Sequence, residues 1–405
     1  MTTPTKQHLI DPEICIRCYT CENTCPIQAI EHDDNNVVVD ASKCNFCMDC
    51  IPVCPTGSID EWRVVAQPYS LENQYEWDEL PEQEEDVVIA EGAPDSKDGN
   101  AAFDNQTIDP IQALLAEAHS GAGGKSVAPA TATKPTVNFY NLGNPVEAVV
   151  QGNYRLTSED SDSDVRHIVI DFQGKPFPAL EGQSVGIIAP GTTSDGKAHL
   201  PRLYSVSSPR DGEREGYHNV SLTVKRESDG VCSNYLCDVE IGQRIQVTGP
   251  FGATFLMPND PSARLLMICT GTGSAPMRSF TMARQRLYGD QGKAMTLFFG
   301  ARTPDSLPYF GPLQKLPTAL MQKHLVYSRS PDREKEYVQD RMRSESAAVT
   351  ELLLDSNTYV YICGLKEMEE GVEAALHDIA SDAGRDWHGL RTVMREEGRF
   401  HVETY

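Results

Sequence analysis

Apolar residues come in three textures along this chain. From about Val146 they fall into short alternating runs, "RHIVIDF", "SVGIIAP", "NVSLTVKR" and "RIQVTGP", parted by Gly and Pro turns. Period-two runs of this length predict a small antiparallel β-barrel. After about residue 262 the runs become continuous and alternate with helical stretches: "RLLMICTGTG", a helix from Met277, "AMTLFFGAR", "HLVYSR", "TYVYICG" and a helix following Lys366. Such alternation predicts a parallel sheet covered by helices, with ligands at the carboxyl ends of its strands. The last run, "FHVETY", is strand-like and stops on a bulky ring, so Tyr405 is expected to have a place to pack rather than to fray.

Earlier in the chain the pattern weakens. Residues 64–137 carry acid runs such as "ELPEQEEDVV" and a Gly, Ala, Pro and Thr stretch, "SGAGGKSVAPATATKPT", and read as a linker. Inside it "IDPIQALLAEAHSG" predicts one short helix over 108–119. The first 63 residues form a cysteine-rich α+β module. The expected organisation is therefore multidomain: 1–63, linker 64–137, antiparallel barrel 138–261 and α/β parallel-sheet domain 262–405.

Charge and cysteine usage narrow the chemistry. A formal charge of −24 argues against nucleic acid and anionic membranes as partners. No run approaches the ~18 apolar residues of a membrane span, and the polar opening lacks a signal-peptide layout. A cytoplasmic protein is expected, where twelve cysteines point to metal rather than disulfides.

Eight of those cysteines lie in two copies of one pattern, "CIRCYTCENTCPIQAIE" and "CNFCMDCIPVCPTGSIDE". Each is a CxxCxxCxxxCP run, and in proteins with this spacing the fourth cysteine of one run serves the other iron-sulfur cluster. Cys15, Cys18, Cys21 and Cys54 would hold one cluster, and Cys25, Cys44, Cys47 and Cys50 the other. Structural zinc is the competing reading, but its two separated CxxC pairs leave the third close cysteine and the doubled Cys-Pro without a use. Residues 8 to 62 resemble bacterial two-cluster 4Fe-4S ferredoxins.

Clusters move single electrons, so an electron source is expected elsewhere. The barrel region holds "RLYS" at 202 to 205 and "GVCSNYL" at 230 to 236. Alone, these are an ordinary strand and an ordinary helix start. Together they suit a flavin with a pyrophosphate tail: Arg202 neutralises phosphate, Tyr204 offers a stacking face, Ser205 a hydroxyl, and the 230 to 236 turn presents N–H groups to an anion. In "CTGTGSAP", Gly271 and Gly273 would allow a dinucleotide close to the backbone.

These motifs, with "SR" followed by Lys and Tyr, "YICGLKEM" and the terminal "VETY", resemble the plant-type ferredoxin-NADP reductase family from about residue 140 onward. The resemblance implies that Arg202, Leu203, Tyr204, Ser205, Gly230, Val231, Cys232, Ser233 and Thr270 contact FAD and that Thr223, Val224 and Lys225 border the cofactors. It further implies that Ser328, Arg329, Lys335 and Tyr337 hold the 2′-phosphate of NADPH, with Gly271, Gly273, Ala301, Arg302, Gly364 and Leu365 completing the nucleotide site. An added phosphate needs added cations and donors, which favours NADPH over NADH.

Cys363 alone would be read as core filler. By the resemblance it lies beside the nicotinamide, Glu403 and Ser205 position and protonate the flavin site, and Tyr405 covers the flavin face until NADPH enters. One departure stands out: between Lys225 and the "GVCS" turn the chain is short ("RESD") and lacks the aromatic residue that plant members set against the FAD adenine. Cys237 and Cys269 are expected in cores.

The pieces imply a current path from NADPH to FAD, then through two clusters to a partner, with the linker keeping the cysteine module near the flavin at an effective concentration of order millimolar. The order of modules resembles reductase components that feed the di-iron benzoyl-CoA 2,3-epoxidase of aerobic benzoate breakdown, which implies an oxygenase as acceptor. The reverse reading is a fused ferredoxin-NADP reductase that makes NADPH. A non-enzymatic redox sensor is disfavoured, because it needs neither a nicotinamide site nor two clusters, and no DNA-binding motif appears. The oligomeric state stays open, a homodimer included.

Overall fold

Side-chain hydrogen bonds, more than long elements, hold the first part of the chain. The computed structural model describes residues 5–12, 15, 19–33, 35–46, 50, 58–59, 63–78, 80–81, 127–193, 196–289, 292–293, 295–330 and 334–405. It divides into two units, Met1–Gln112 and Ala113–Tyr405.

In the first unit β1 (Thr5–Gln7) precedes α1 (Thr20–Thr24) and the hairpin of β2 (Ile30–His32) and β3 (Val37–Val39). β4 (Arg63–Val65) pairs antiparallel with β1, and α2 (Leu71–Tyr75) follows, capped by Ser70. Gln74 stands in for a missing strand: its Oε1 accepts from Val39 N at 3.1 Å and its Nε2 donates to Val39 O at 3.0 Å. Asn36 donates to the carbonyls of Gln74, Tyr75 and Trp77. The module therefore runs past the expected boundary at residue 63, because side-chain amides satisfy the edge of β3 where no apolar run announces a further element.

The far end of the expected linker differs too. Thr133 Oγ1 accepts from Arg210 Nη1 at 2.7 Å and Asn259 Nδ2 at 2.8 Å, and Gln183 Nε2 donates to Thr136 O at 3.0 Å. Residues 127–137 are thus fastened to the second unit. The helix expected at 108–119 lies outside the described residues.

The second unit opens with a six-stranded antiparallel sheet: β5 (Val146–Arg155), β6 (Val165–Asp171), β7 (Ser184–Ile188), β8 (Arg202–Ser205), β9 (Val220–Lys225) and β10 (Arg244–Phe251) in the spatial order 8-7-10-5-6-9. A bridge between Val206 and Leu222 joins its two edges and closes the barrel. Alternation sends Val220, Leu222 and Val224 into the barrel core and leaves Thr223 and Lys225 for the other face. Helix α3 (Val231–Asp238) buries Cys232, Leu236 and Cys237 against that core.

Five parallel strands follow: β11 (Arg264–Thr270), β12 (Met295–Ala301), β13 (Met321–Tyr327), β14 (Thr358–Gly364) and β15 (Phe400–Thr404), ordered 13-12-11-14-15. Helices α4 (Ser274–Tyr288) and α5 (Phe310–Lys315) bear on one face of the sheet. The other face is covered by α6 (Val338–Ser344), α7 (Ser346–Leu354), α8 (Lys366–Asp382) and α9 (Trp387–Glu396). Burial on both faces explains the continuous apolar runs, since Leu266 and Ile268 pack to one side while Leu265, Met267 and Cys269 pack to the other. Strand order reverses between β11 and β14, the position where such sheets take their ligands. No helix among the described residues is long and apolar enough to cross a membrane.

Candidate functional site

The switch point is built on glycines. A Cβ on Gly273 would lie 2.1 Å from Cys363 O, so the turn after β11 passes the end of β14 only without a side chain. Gly271 sits at φ 54, in the left-handed region that favours glycine. The hydroxyl of Thr270, at the end of β11, is buried and has no hydrogen-bond partner among the described residues. In the parallel ladder Cys363 pairs with Glu403 and Gly364 with Thr404, which places a thiol beside a carboxyl at the sheet's carboxyl end. Tyr405 then donates its N–H to Gly364 O at 3.0 Å, and its hydroxyl lies 2.5 Å from Thr272 Oγ1.

Of these residues Thr272, Cys363, Glu403 and Tyr405 form one wall of a deep cleft, with the glycine turn and Thr270 behind it. Opposite stand Arg202, Leu203, Tyr204 and Ser205 of β8, Thr223 and Lys225 of β9, and Gly230, Val231, Cys232 and Ser233 at the start of α3. Its volume of about 1160 Å³ lies just above the ~300–1000 Å³ of an ordinary small-molecule pocket, a size that suits a large dinucleotide cofactor.

Electrostatics differ between the walls. Burial pushes the Glu403 carboxyl up to about 8, so it is protonated at neutral pH. Burial, and then the neighbouring Glu403, push the Cys363 thiol well above its usual value, which keeps it neutral. On the barrel side Arg202 has no carboxylate partner among the described residues, and α3 begins at Gly230 with no side-chain cap, leaving N–H groups directed at the cleft. A free guanidinium, an uncapped helix start and a flat Tyr204 suit a diphosphate bearing a ring system, so the donor set fits FAD. Lys225 Nζ rests 2.5 Å from Glu227 Oε1 at the cleft's edge.

Other expected residues fall elsewhere. Val224 is fully buried in the barrel core, so its side chain cannot border a cofactor; strand alternation gives that position only its backbone. Ala301 ends β12 and Arg302 follows it, and Ser328 and Arg329 follow β13, joined by Ser328 N to Ala301 O at 3.0 Å and Arg329 N to Arg302 O at 2.8 Å. Lys335 Nζ lies 4.8 Å from the Tyr337 ring centre. These groups gather at the carboxyl ends of the two strands beyond β11, not in the cleft itself, and Leu365 is exposed at the start of α8. The sequence reading passed over Thr272, Ala275 and the loop with Thr192, Lys197 and His199, which also line the cleft. Thr272 lies between the two glycines already singled out; the loop carries no pattern that would have marked it. At the expected adenine end the short turn is closed by Arg226, which pairs with Asp164 and Asp238, and Glu227 and Asp229 face the cleft where an aromatic ring is missing.

In the N-terminal unit Cys25, Cys44 and Cys50 line one apolar cavity with Ile27, Ala29, Ile30 and Val39. Ala29 N donates to Cys25 Sγ at 3.2 Å. Cys25, the fourth cysteine of the first run, thus lies with Cys44 and Cys50 of the second. Cys15 and Cys21 pack against the same small core. Cys18, Cys47 and Cys54 lie outside the described residues. Soft thiols in an apolar cavity with an inward N–H fit a 4Fe-4S cluster.

Three family models match: a 4Fe-4S dicluster domain over 14–58, an oxidoreductase FAD-binding domain over 167–255 and an oxidoreductase NAD-binding domain over 267–374. The ferredoxin-NADP reductase of the Cyanophora paradoxa cyanelle is 39% identical over 288 residues, 66% of this chain and 79% of that protein. The chain belongs to the ferredoxin-NADP reductase family. The Spirulina member is 37% identical over 289 residues, again 66% of this chain and 98% of its own length. A solved Plasmodium falciparum ferredoxin-NADP reductase superposes with a TM-score of 0.53 at 26% identity, covering 66% of this chain and 99% of that one, and a structure of it with 2′P-AMP matches equally. The chain is an FAD- and NADP(H)-binding oxidoreductase of this family with an N-terminal 4Fe-4S dicluster domain.

Proposed function

We propose that this reductase takes electrons from NADPH onto FAD and passes them through two 4Fe-4S clusters to a separate oxygenase. The observation that carries the reading is the cleft in which Cys363, Glu403 and Tyr405 face Arg202, Tyr204 and Ser205. Bound there, FAD accepts two electrons together and releases them singly, and the clusters carry one at a time. Arg202 and the start of α3 hold the diphosphate, Tyr204 supports one ring face, Tyr405 covers the other and leaves when nicotinamide enters, and Ser205 offers its hydroxyl to the ring. Glu403, neutral at pH 7, holds a proton within the cleft. Cys363 stays an uncharged thiol beside the nicotinamide position. Ser328, Arg329, Lys335 and Tyr337 receive the 2′-phosphate, a role supported by the Plasmodium relative's solved form with 2′P-AMP. Cys15, Cys18, Cys21 and Cys54 hold one cluster and Cys25, Cys44, Cys47 and Cys50 the other.

The acceptor is the di-iron benzoyl-CoA 2,3-epoxidase of aerobic benzoate degradation, a reading supported by the resemblance of the module order. The relatives' names favour a second direction, NADPH formation from low-potential electrons. An anaerobic titration with NADPH, and with NADH in parallel, followed by visible absorbance and low-temperature EPR, separates them. Flavin bleaching followed by cluster signals, with NADPH far ahead of NADH, is the expected result. Reduced flavin with clusters still oxidised would favour the reverse direction.

A further inference from the structure

The seam between the barrel and the parallel-sheet domain holds a ring of polar side chains of which only Thr223 lines the cofactor cleft. Tyr309, in the loop before α5, is buried, and its backbone sits at φ 60, which a bulky residue rarely adopts without a reason in its surroundings. Its hydroxyl lies 2.6 Å from Thr223 Oγ1 and 2.9 Å from His167 Nδ1, both on barrel strands. The other nitrogen of His167 is 3.1 Å from Glu213 Oε1. Glu213 in turn takes both Nη atoms of Arg278, at 2.7 and 2.9 Å, and the Arg278 guanidinium lies 4.9 Å from the centre of the Tyr309 ring, closing the circuit. Arg278 also donates to Ser207 O, two residues beyond Ser205.

The circuit crosses the seam. Thr223, His167 and Glu213 belong to the barrel domain, while Tyr309 and Arg278 belong to the parallel-sheet domain. Arg278 sits on α4, which starts directly after the Gly271–Gly273 turn, and Thr223 lines the cleft two residues before Lys225. The same polar ring therefore fastens the wall that carries the flavin residues to the turn that carries the nucleotide residues. Hydride transfer is steep in distance: reacting atoms must approach to about 3–3.5 Å, and a misplacement of about 1 Å can cost about 100-fold in rate.

We propose that Tyr309 is a positioning residue for hydride transfer, its hydroxyl holding Thr223 and β9 at the spacing that brings nicotinamide and flavin together. The inference rests on the reading of the cleft as the hydride-transfer site. Tyr309→Phe keeps the ring and its contact with Arg278 and removes only the hydroxyl; Thr223→Val removes the partner hydroxyl at constant shape.

The test compares purified holoenzymes by anaerobic stopped-flow reduction with NADPH, by the long-wavelength charge-transfer absorbance on adding NADP⁺, and by calorimetric binding of 2′-phospho-AMP, which lacks the nicotinamide. The expected result is a hydride-transfer rate lowered about 10- to 100-fold and a weakened charge-transfer band in both variants, with 2′-phospho-AMP affinity within about two-fold of wild type. The double variant should be no slower than Tyr309→Phe alone, because both remove the Tyr309–Thr223 hydrogen bond and Tyr309→Phe already loses the contact with His167 as well. Unchanged rate and band with only a lower melting temperature would overturn the proposal, as would additive losses. If Tyr309→Phe does not fold, Thr223→Val decides the matter by the same readings. A wild-type protein that NADPH fails to bleach would instead overturn the reading of the cleft, which separates the two failures.

Discussion

The cysteine module and the reductase unit reach stability by different means. Among the described residues the module's core is Ile10, Cys21, Ile30, Val37, Val39, Cys50 and Ile59, so two of its buried members are themselves expected ligands, with Cys15, Cys25 and Cys44 packed alongside. The reductase cores are built from sheet and helix side chains, Leu266, Ile268, Val360 and Trp387 among them, with no expected ligand among these four. On the proposed reading the clusters would be part of the core in one unit, whereas in the other the flavin would occupy a cleft between elements that have cores of their own. Metal affinity should therefore be folding energy in the first unit and not in the second.

The largest effect that would break this contrast comes from the thiols. Cys50→Ala, or removal of iron by a chelator, should unfold the module while leaving the reductase unit's melting transition in place. Transfer from NADPH through the clusters to a one-electron acceptor protein should fall about 100-fold or more, with direct reduction of ferricyanide, one electron per ion, or of a two-electron dye at the flavin retained. Calorimetry shows the separate transitions and steady-state assays the separate activities. Joint loss of both transitions would mean that the reductase also leans on the clusters.

Legibility in the sequence follows the same divide. Strands buried on both faces, such as "RLLMICT" and "TYVYICG", announce themselves because every position is apolar. The cleft was legible at Gly271 and Gly273, where chemistry and backbone need coincide, and at Cys363 and Glu403 only through the family resemblance. It was not legible where contact depends on register or on distant partners. Val224 sits inside the cofactor motif yet faces the core, Thr272 gains its importance only from the hydroxyl of Tyr405, and Tyr309 lies far in sequence from the strands it fastens. Gln74 replaces a strand with a side-chain amide in a stretch that reads as linker, and Thr133 is held by Arg210 and Asn259, residues no local pattern connects to it.

Within the reductase the next effect in size concerns backbone approach. Gly273→Ala would place a methyl group 2.1 Å from Cys363 O, so the turn must move or β14 must yield. The expected loss is about 3 kcal/mol of reductase stability, by urea denaturation, together with loss of NADP⁺ binding. The module's own transition should not shift. A Gly273→Ala protein that binds NADP⁺ normally would show that the turn has slack and that the glycine is not required by packing.

The smallest effect on activity, and the most discriminating, comes from the titration of Glu403. Its carboxyl is raised from the ordinary 4.5 to about 8 by burial, so between these values the folded protein holds a proton that the unfolded chain has released. Reductase stability should then fall as pH rises from about 4.5 to about 8, with a slope of up to about 1.4 kcal/mol per pH unit, and level off above. Hydride transfer should decline above about pH 8, by roughly 10-fold, as a charge appears beside Cys363. Glu403→Gln keeps a donor of the same shape without a titration and should flatten both profiles. Because the group lies in the unit that needs no cluster for its fold, the profile should be the same after iron removal. Parallel pH dependence in wild type and Glu403→Gln would remove Glu403 from the account. A profile that vanishes with the iron would make the cleft's electrostatics depend on the cysteine module, contrary to the independence that the two cores imply.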